Sequence, residues 1–157
     1  MAFVPAMLFG QSQVKLGHID IQALFMQLPD AAEIDSVMKK TSAEYEAELK
    51  RMDDEVTRKA AEYKEGEANW DESIKQNRME EIRTLQTRMQ NYYQNAQALL
   101  QKKQEQLQTP VRDKIKKAID AVAAENGFLY ILDTQAIIYK SEQSIDITSL
   151  VLKKLQK

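Results

Sequence analysis

A mainly α protein with a small β body is the fold this chain predicts, built as a long antiparallel helical hairpin on a short-stranded base. Between Pro29 and Pro110 there is no other proline and a single glycine, Gly66, so little in that stretch can break a helix. Within it, apolar residues recur every three or four positions along two runs, the period of a helix face. Beyond it, Phe128-Leu129-Tyr130-Ile131-Leu132 follows the helix stop Asn126-Gly127 and reads as a strand.

Composition agrees with that outline. Of the 157 residues, 79 lie between Asp30 and Gln108, and what remains is too short for a large globular core, so an oligomer is expected. Charged residues make up 29% of the chain but balance to a net charge of -2. That excludes the Lys/Arg excess on which nucleic-acid binding rests, and no dense basic patch suggests lipid headgroups. Cysteine is absent, which removes disulfides, thiol nucleophiles and thiolate metal sites together. His18 is the single histidine, without the partner a histidine pair or a usual zinc site needs, and is read as a strand residue near the core edge. The carboxylates are many, but no Cys, second His or Gly-rich loop accompanies them. No enzyme, catalytic residue, cofactor or metal ligand is expected.

In chain order, Ala2 to Gly10 is apolar and gives way at once to Gln11-Ser12-Gln13. Residues 1–13 thus resemble the end of a truncated export signal, the alternative being an ordinary apolar or disordered N-terminus. The run is too short to span a bilayer, so no stable membrane insertion is expected. Val14 to Asp20 alternates loosely and predicts a short strand, and Ile21 to Leu28 a short helical turn. Residues 14–29 and 109–157 form the predicted base, and residues 30–108 the hairpin arm with its tip near 66–69.

The first long helix is expected to start with Asp30 as N-cap and Glu33 as its capping-box partner. Its seam, Met38, Thr41, Tyr45, Leu49, Met52, Val56, Ala60 and Tyr63, repeats every eleven residues, which favours a straight or slightly right-handed winding. A second capping box, Asn69 with Glu72, is expected to open the return helix, whose seam is Ile82, Leu85, Met89, Tyr92, Ala96 and Leu99. Both seams are thin, because Thr41, Ala60 and Ala96 are small or polar, and thin seams predict arms that splay. Trp70, Met79, Tyr93 and Leu100 lie off the seam. Such residues pad a hairpin, or they offer spaced, adaptable contacts to an unfolded partner.

At Thr109-Pro110 the chain returns to the base. Either Thr109 caps a new helix with Pro110 at its first position, or Pro110 kinks a continuing one; in both cases Pro110 is the candidate hinge. Val111, Ile115, Ala118, Ile119 and Val122 form an apolar face. Phe128 to Leu132, apolar on both sides, predicts a strand buried on two faces, and Ala136 to Tyr139 a second strand. Asp146 or Thr148 is expected to cap a last short helix carrying Val151, Leu152 and Leu155. Two or three short strands cannot bury both faces in one chain. Leu16, Ile19, Phe128, Leu129, Tyr130, Ile131, Ile137 and Ile138 are therefore the candidate oligomerisation residues.

The order of these features resembles the Skp/OmpH family of periplasmic outer-membrane-protein chaperones. The features are Ile19-Asp20, Leu28-Pro29 before a long charged hairpin, Pro110 with Ile115-Lys116-Lys117-Ala118-Ile119, Gly127-Phe128 with Ile131-Leu132-Asp133, and Asp146-Ile147-Thr148 with Val151 and Leu155. The resemblance runs from Val14 to the C-terminus. It implies a homotrimer whose strand bodies form a trimerisation base with helical hairpins as tentacles. It further implies an ATP-independent holdase, located in the periplasm, with unfolded outer-membrane proteins as partners. One departure stands out: well-known members are strongly basic, whereas this chain has a pI near 5.6, so hydrophobic and polar contacts carry more of any client grip. The competing expectation is a structural or adapter coiled-coil protein of the envelope that binds a folded partner.

Overall fold

The structure, a computed structural model, describes residues 14–156, so the expected export signal lies outside the described residues. Along the chain run β1 (Lys15–Ile19), α1 (Ile21–Met26), α2 (Pro29–Gly66), a 3-10 turn (Glu67–Asn69), α3 (Glu72–Asn126) and β2 (Phe128–Asp133). A second 3-10 turn (Thr134–Ala136), β3 (Ile145–Asp146) and α4 (Thr148–Leu155) complete it. The chain divides into two compact units: Pro29–Pro110, and a second made of the segment ending at Leu28 together with the one beginning at Val111.

In the Pro29–Pro110 unit, α2 starts two residues earlier than the capping box required. Pro29 takes the first helical position, where its missing N–H costs nothing, and Asp30 becomes an acidic residue inside the first turn. At the other end the cap of α3 is Asp71, not Asn69. Asp71 Oδ1 accepts from the Ile74 N–H at 2.9 Å, while Asn69 is held in the intervening 3-10 turn. The helices are antiparallel: Tyr45 meets Tyr92 edge to face at 6.1 Å, and Lys59 Nζ reaches Glu81 Oε1 at 2.5 Å.

The seam has a different period from the expected one. Ala60 is exposed and Lys59 takes its place, only 17% of its side chain accessible. Tyr45, Met52, Lys59 and Gly66 thus recur at seven-residue spacing with Leu49, Val56 and Tyr63 between them, the repeat of a left-handed coiled coil. The cause is the lysine's long aliphatic stem, which covers apolar surface while its ammonium finds a carboxylate. On α3, Leu99 is exposed and Leu100 half-buried, so the seam there runs one residue later than expected.

In the other unit, α3 continues through Pro110 to Asn126, so Thr109 caps nothing; its hydroxyl donates to the Glu105 carbonyl at 2.8 Å within the helix. Val111, Ile115, Ala118 and Val122 are buried, as are Ile19, Leu24, Leu28, Ile147 and Val151. Asp20 caps α1 by accepting from the Ala23 N–H at 2.8 Å, and its own N–H donates to Thr148 Oγ1. Asp146 rather than Thr148 accepts at the start of α4, from the Thr148 N–H at 2.9 Å. Gly127, at φ +69°, ends α3 in the left-handed region that suits glycine, and Lys15 Nζ donates to the Asn126 carbonyl at 3.0 Å.

The sheet has the order β2-β1-β3 and is parallel throughout. Two expectations fail here. β2 is an edge strand, not one buried on two faces, and its register slips so that Lys15 pairs with Phe128 but Leu16 with Tyr130. Leu129 is the extra residue, which leaves both Leu129 and Tyr130 exposed. Ala136 to Tyr139 is not a strand. Asp133 caps the turn Thr134–Ala136 by accepting from the Gln135 N–H, the Ile137 N–H bonds back to the Thr134 carbonyl, and the chain leaves the ladder there. The third strand is Ile145–Asp146, too short to stand out in the sequence.

At the tip, a Cβ on Gly66 would lie 2.1 Å from the indole ring of Trp70, which also meets Tyr63 edge to face at 5.9 Å. Gly66→Ala gains up to about 1 kcal/mol of helix propensity but must push that ring away. Trp70 is the only tryptophan. We expect its fluorescence emission to move to longer wavelength in Gly66→Ala with helix content unchanged; an unshifted spectrum would mean the ring does not need the glycine.

Candidate functional site

Two apolar surfaces are the candidates, one in each unit. On the arm, Met79 and Tyr93 are exposed, and Ile74 and Leu99 share that exposure although the sequence did not single them out as contacts. Met79, Tyr93 and Leu100 are separated by fourteen and seven residues, which places them on one flank of the α3 seam, with Leu100 turning inward. Among the described residues, every large exposed apolar side chain of the Pro29–Pro110 unit lies on α3. On α2 the outward positions carry ion pairs instead, such as Asp35–Lys39, Glu48–Arg51 and Arg58–Glu62.

Trp70 stands apart from that row. It is half-buried, with the Arg78 guanidinium 6.0 Å over its ring. A shallow recess beside it is lined by Lys59, Tyr63, Trp70 and Glu81 among others. Hydrogen bonds from Lys59 and then Arg78 hold the Glu81 carboxyl below the usual carboxylate range, so the polar wall of this recess is already paired. Near the middle of the arm, desolvation raises the Tyr92 hydroxyl above the ordinary tyrosine range, in keeping with its place in the seam.

The second surface is a sheet face. In a parallel ladder, register partners point the same way, so Leu16 with Tyr130 and His18 with Leu132 share one face. Leu16, Tyr130 and Leu132 are exposed there, Tyr130 by 61%, and Leu129 adds to them at the bulge. Ile138 and Tyr139 are also exposed, but on the irregular segment before β3 rather than on a strand. Ile19, at 1% exposure, is taken up by its own chain's core and offers nothing to a second copy. Phe128, Ile131 and Ile137 are half-buried, and the first two close over Gly17.

The model of the OmpH-like outer membrane proteins matches residues 15–155, nearly the whole chain. The chain belongs to the OmpH-like family. Its fold is also that of a crystal structure from Caulobacter crescentus described as a candidate outer membrane chaperone (OmpH-like), with a TM-score of 0.80 at 14% identity. The match covers 93% of this chain and 86% of that one. No curated relative matches the sequence. Among the described residues, no helix is long and apolar enough to cross a membrane.

Proposed function

We propose that this OmpH-like protein is an ATP-independent holdase that works in the periplasm and keeps unfolded outer-membrane proteins from aggregating. The observation that carries this reading is the one-sidedness of the arm. α2 is sheathed in charge, and α3 alone presents Met79, Tyr93, Ile74 and Leu99. A row of separate apolar side chains suits an extended client that samples many weak contacts rather than a folded partner that docks once. The family, and the description of its Caulobacter relative as a candidate chaperone, point the same way. Nothing in this reading calls for a catalytic residue or a nucleotide.

Assembly belongs to the same proposal. The face carrying Leu16, Tyr130 and Leu132 is what one chain leaves uncovered, and a homotrimer would bury it between copies. Pro110 is the proposed hinge, because it removes the N–H that would bond the Gln106 carbonyl at the point where the two units meet in sequence.

Four measurements test this. Diluting a urea-denatured membrane β-barrel into a stoichiometric amount of the protein without ATP should suppress light scattering. Double replacement by Met79→Ser and Tyr93→Ser should weaken client affinity on the order of tenfold, since two half-exposed side chains contribute about 1–2 kcal/mol. Absence of suppression by the parent protein, with specific capture of one folded partner, would support the adapter reading instead. Tyr130→Glu with Leu132→Glu should yield folded monomers by native mass measurement, and a surviving oligomer would place assembly elsewhere. Pro110→Ala restores a helical hydrogen bond and should narrow the distance distribution seen by solution scattering; an unchanged distribution would remove the hinge.

A further inference from the structure

We propose that His18 is a proton-operated pin that fastens the segment 137–144 onto the sheet and loosens it when the ring takes a second proton. This is independent of the holdase reading and stands or falls by its own measurement.

Among the described residues, His18 is the one polar side chain classed with the buried core, at 3% exposure. Its Nε2 lies 2.7 Å from Lys140 Nζ and its Nδ1 2.8 Å from Ser144 Oγ. An ammonium can only donate, so Nε2 must be the acceptor; the ring proton then sits on Nδ1 and is donated to the Ser144 hydroxyl. This is neutral imidazole with both nitrogens engaged. Both partners come from segment 137–144, which has no ladder of its own. Its backbone bonds run back to Thr134, from the Ile137 N–H, and within itself, from the Ser144 N–H to the Ser141 carbonyl. The segment also carries the fully exposed Ile138 and the exposed Tyr139.

A second proton turns Nε2 into a donor that faces an ammonium at hydrogen-bond distance, where no lone pair is left and two like charges meet. The alternative acceptor is present. Asp146 Oδ2 lies 3.7 Å from Nε2 on the neighbouring strand β3. Hydrogen bonds from the Thr148 side chain and backbone keep that carboxyl below the usual range, so it is ionised wherever imidazole titrates. The groups facing the ring are thus Lys140 and Ser144 from the segment, Asp146 from β3 and the apolar register partner Leu132 from β2. Protonation exchanges Lys140 for Asp146 at Nε2. The ring becomes bound to its own sheet, and the segment loses one of its two ties.

The experiment follows the single imidazole of the full-length chain by NMR from about pH 8 to about pH 5, the range in which histidine changes charge. Hydrogen exchange of peptides spanning 137–144, corrected for intrinsic rate, is measured in parallel. The expected result is a loss of protection on the order of tenfold in that segment, the scale of one hydrogen bond, with the same midpoint as the ring. In Lys140→Met the ring should still titrate while the pH-dependent loss in the segment falls severalfold, and in His18→Gln the loss should be absent. A ring that titrates while the segment keeps its protection overturns the proposal. So does a ring that fails to titrate in this range, or a pH response that survives unchanged in Lys140→Met.

Discussion

Both partners of the central strand lie more than a hundred residues away from it in sequence, and the rest of the fold answers to that constraint. Lys15 pairs with Phe128 and His18 with Asp146, in parallel ladders. Parallel strands need a crossover, and here the crossover holds both long helices. A chain that leaves the sheet after Ile19 and must be back at Phe128 can accommodate so long an excursion by reversing once. The reversal is the 3-10 turn Glu67–Asn69, where Gly66 gives the space that Trp70 fills. α2 spans about 57 Å at the usual rise per residue. α3 returns and then continues from Val111, Ile115, Ala118 and Val122 as part of the core around the sheet. One helix therefore serves two units, and Pro110 falls where its duty changes.

The hairpin was legible because it rests on local chemistry: no helix breaker for dozens of residues and two apolar stripes at helical spacing. Its ends were legible to within one or two residues. α2 began at Pro29, ahead of the expected cap Asp30, and Asp71 took the capping place expected of Asn69, because helix ends rest on short turns that tertiary contacts select. The seam failed at Lys59. A lysine beside an alanine reads as surface, and only the partner Glu81 on the other helix reverses the choice. The same limit explains the base. Ile137-Ile138-Tyr139 has the composition of a strand but follows a turn capped by Asp133, while the real third strand has two residues and no local signature. Of the exposed apolar residues of the arm, some were legible. Met79 and Tyr93 lie exposed, Leu100 turned inward, and Ile74 and Leu99 needed the helix phase to be seen.

The arm stands with little core of its own. Ile34, Met52 and Ala96 are its buried apolar residues, so helix propensity and surface ion pairs supply much of what a thicker seam would. Each exposed pair on α2 contributes little and is screened by salt. Firmer contacts are local: the Tyr63–Trp70–Arg78 stack at the tip, the Lys59–Glu81 bridge and the Tyr45–Tyr92 pair. A helix pair fastened at a few points can bend between them without unfolding, and charge on α2 keeps that helix in water while the exposed large apolar side chains of the unit lie on α3.

His18 links the irregular segment to the sheet in a causal way. A buried imidazole in the middle strand is tolerable when both nitrogens are paired. β2 offers it Leu132, which pairs with neither, and β3 offers Asp146 at a distance too long for a good hydrogen bond. The partners therefore have to come from the stretch between the turn at Ala136 and Ile145, and they do, as Lys140 and Ser144. This stretch is thus tied to the sheet through side chains, and the ladder of β3 is confined to Ile145–Asp146. Ile138 and Tyr139, between the Asp133-capped turn and the Lys140 tie, stay outside the ladder and exposed.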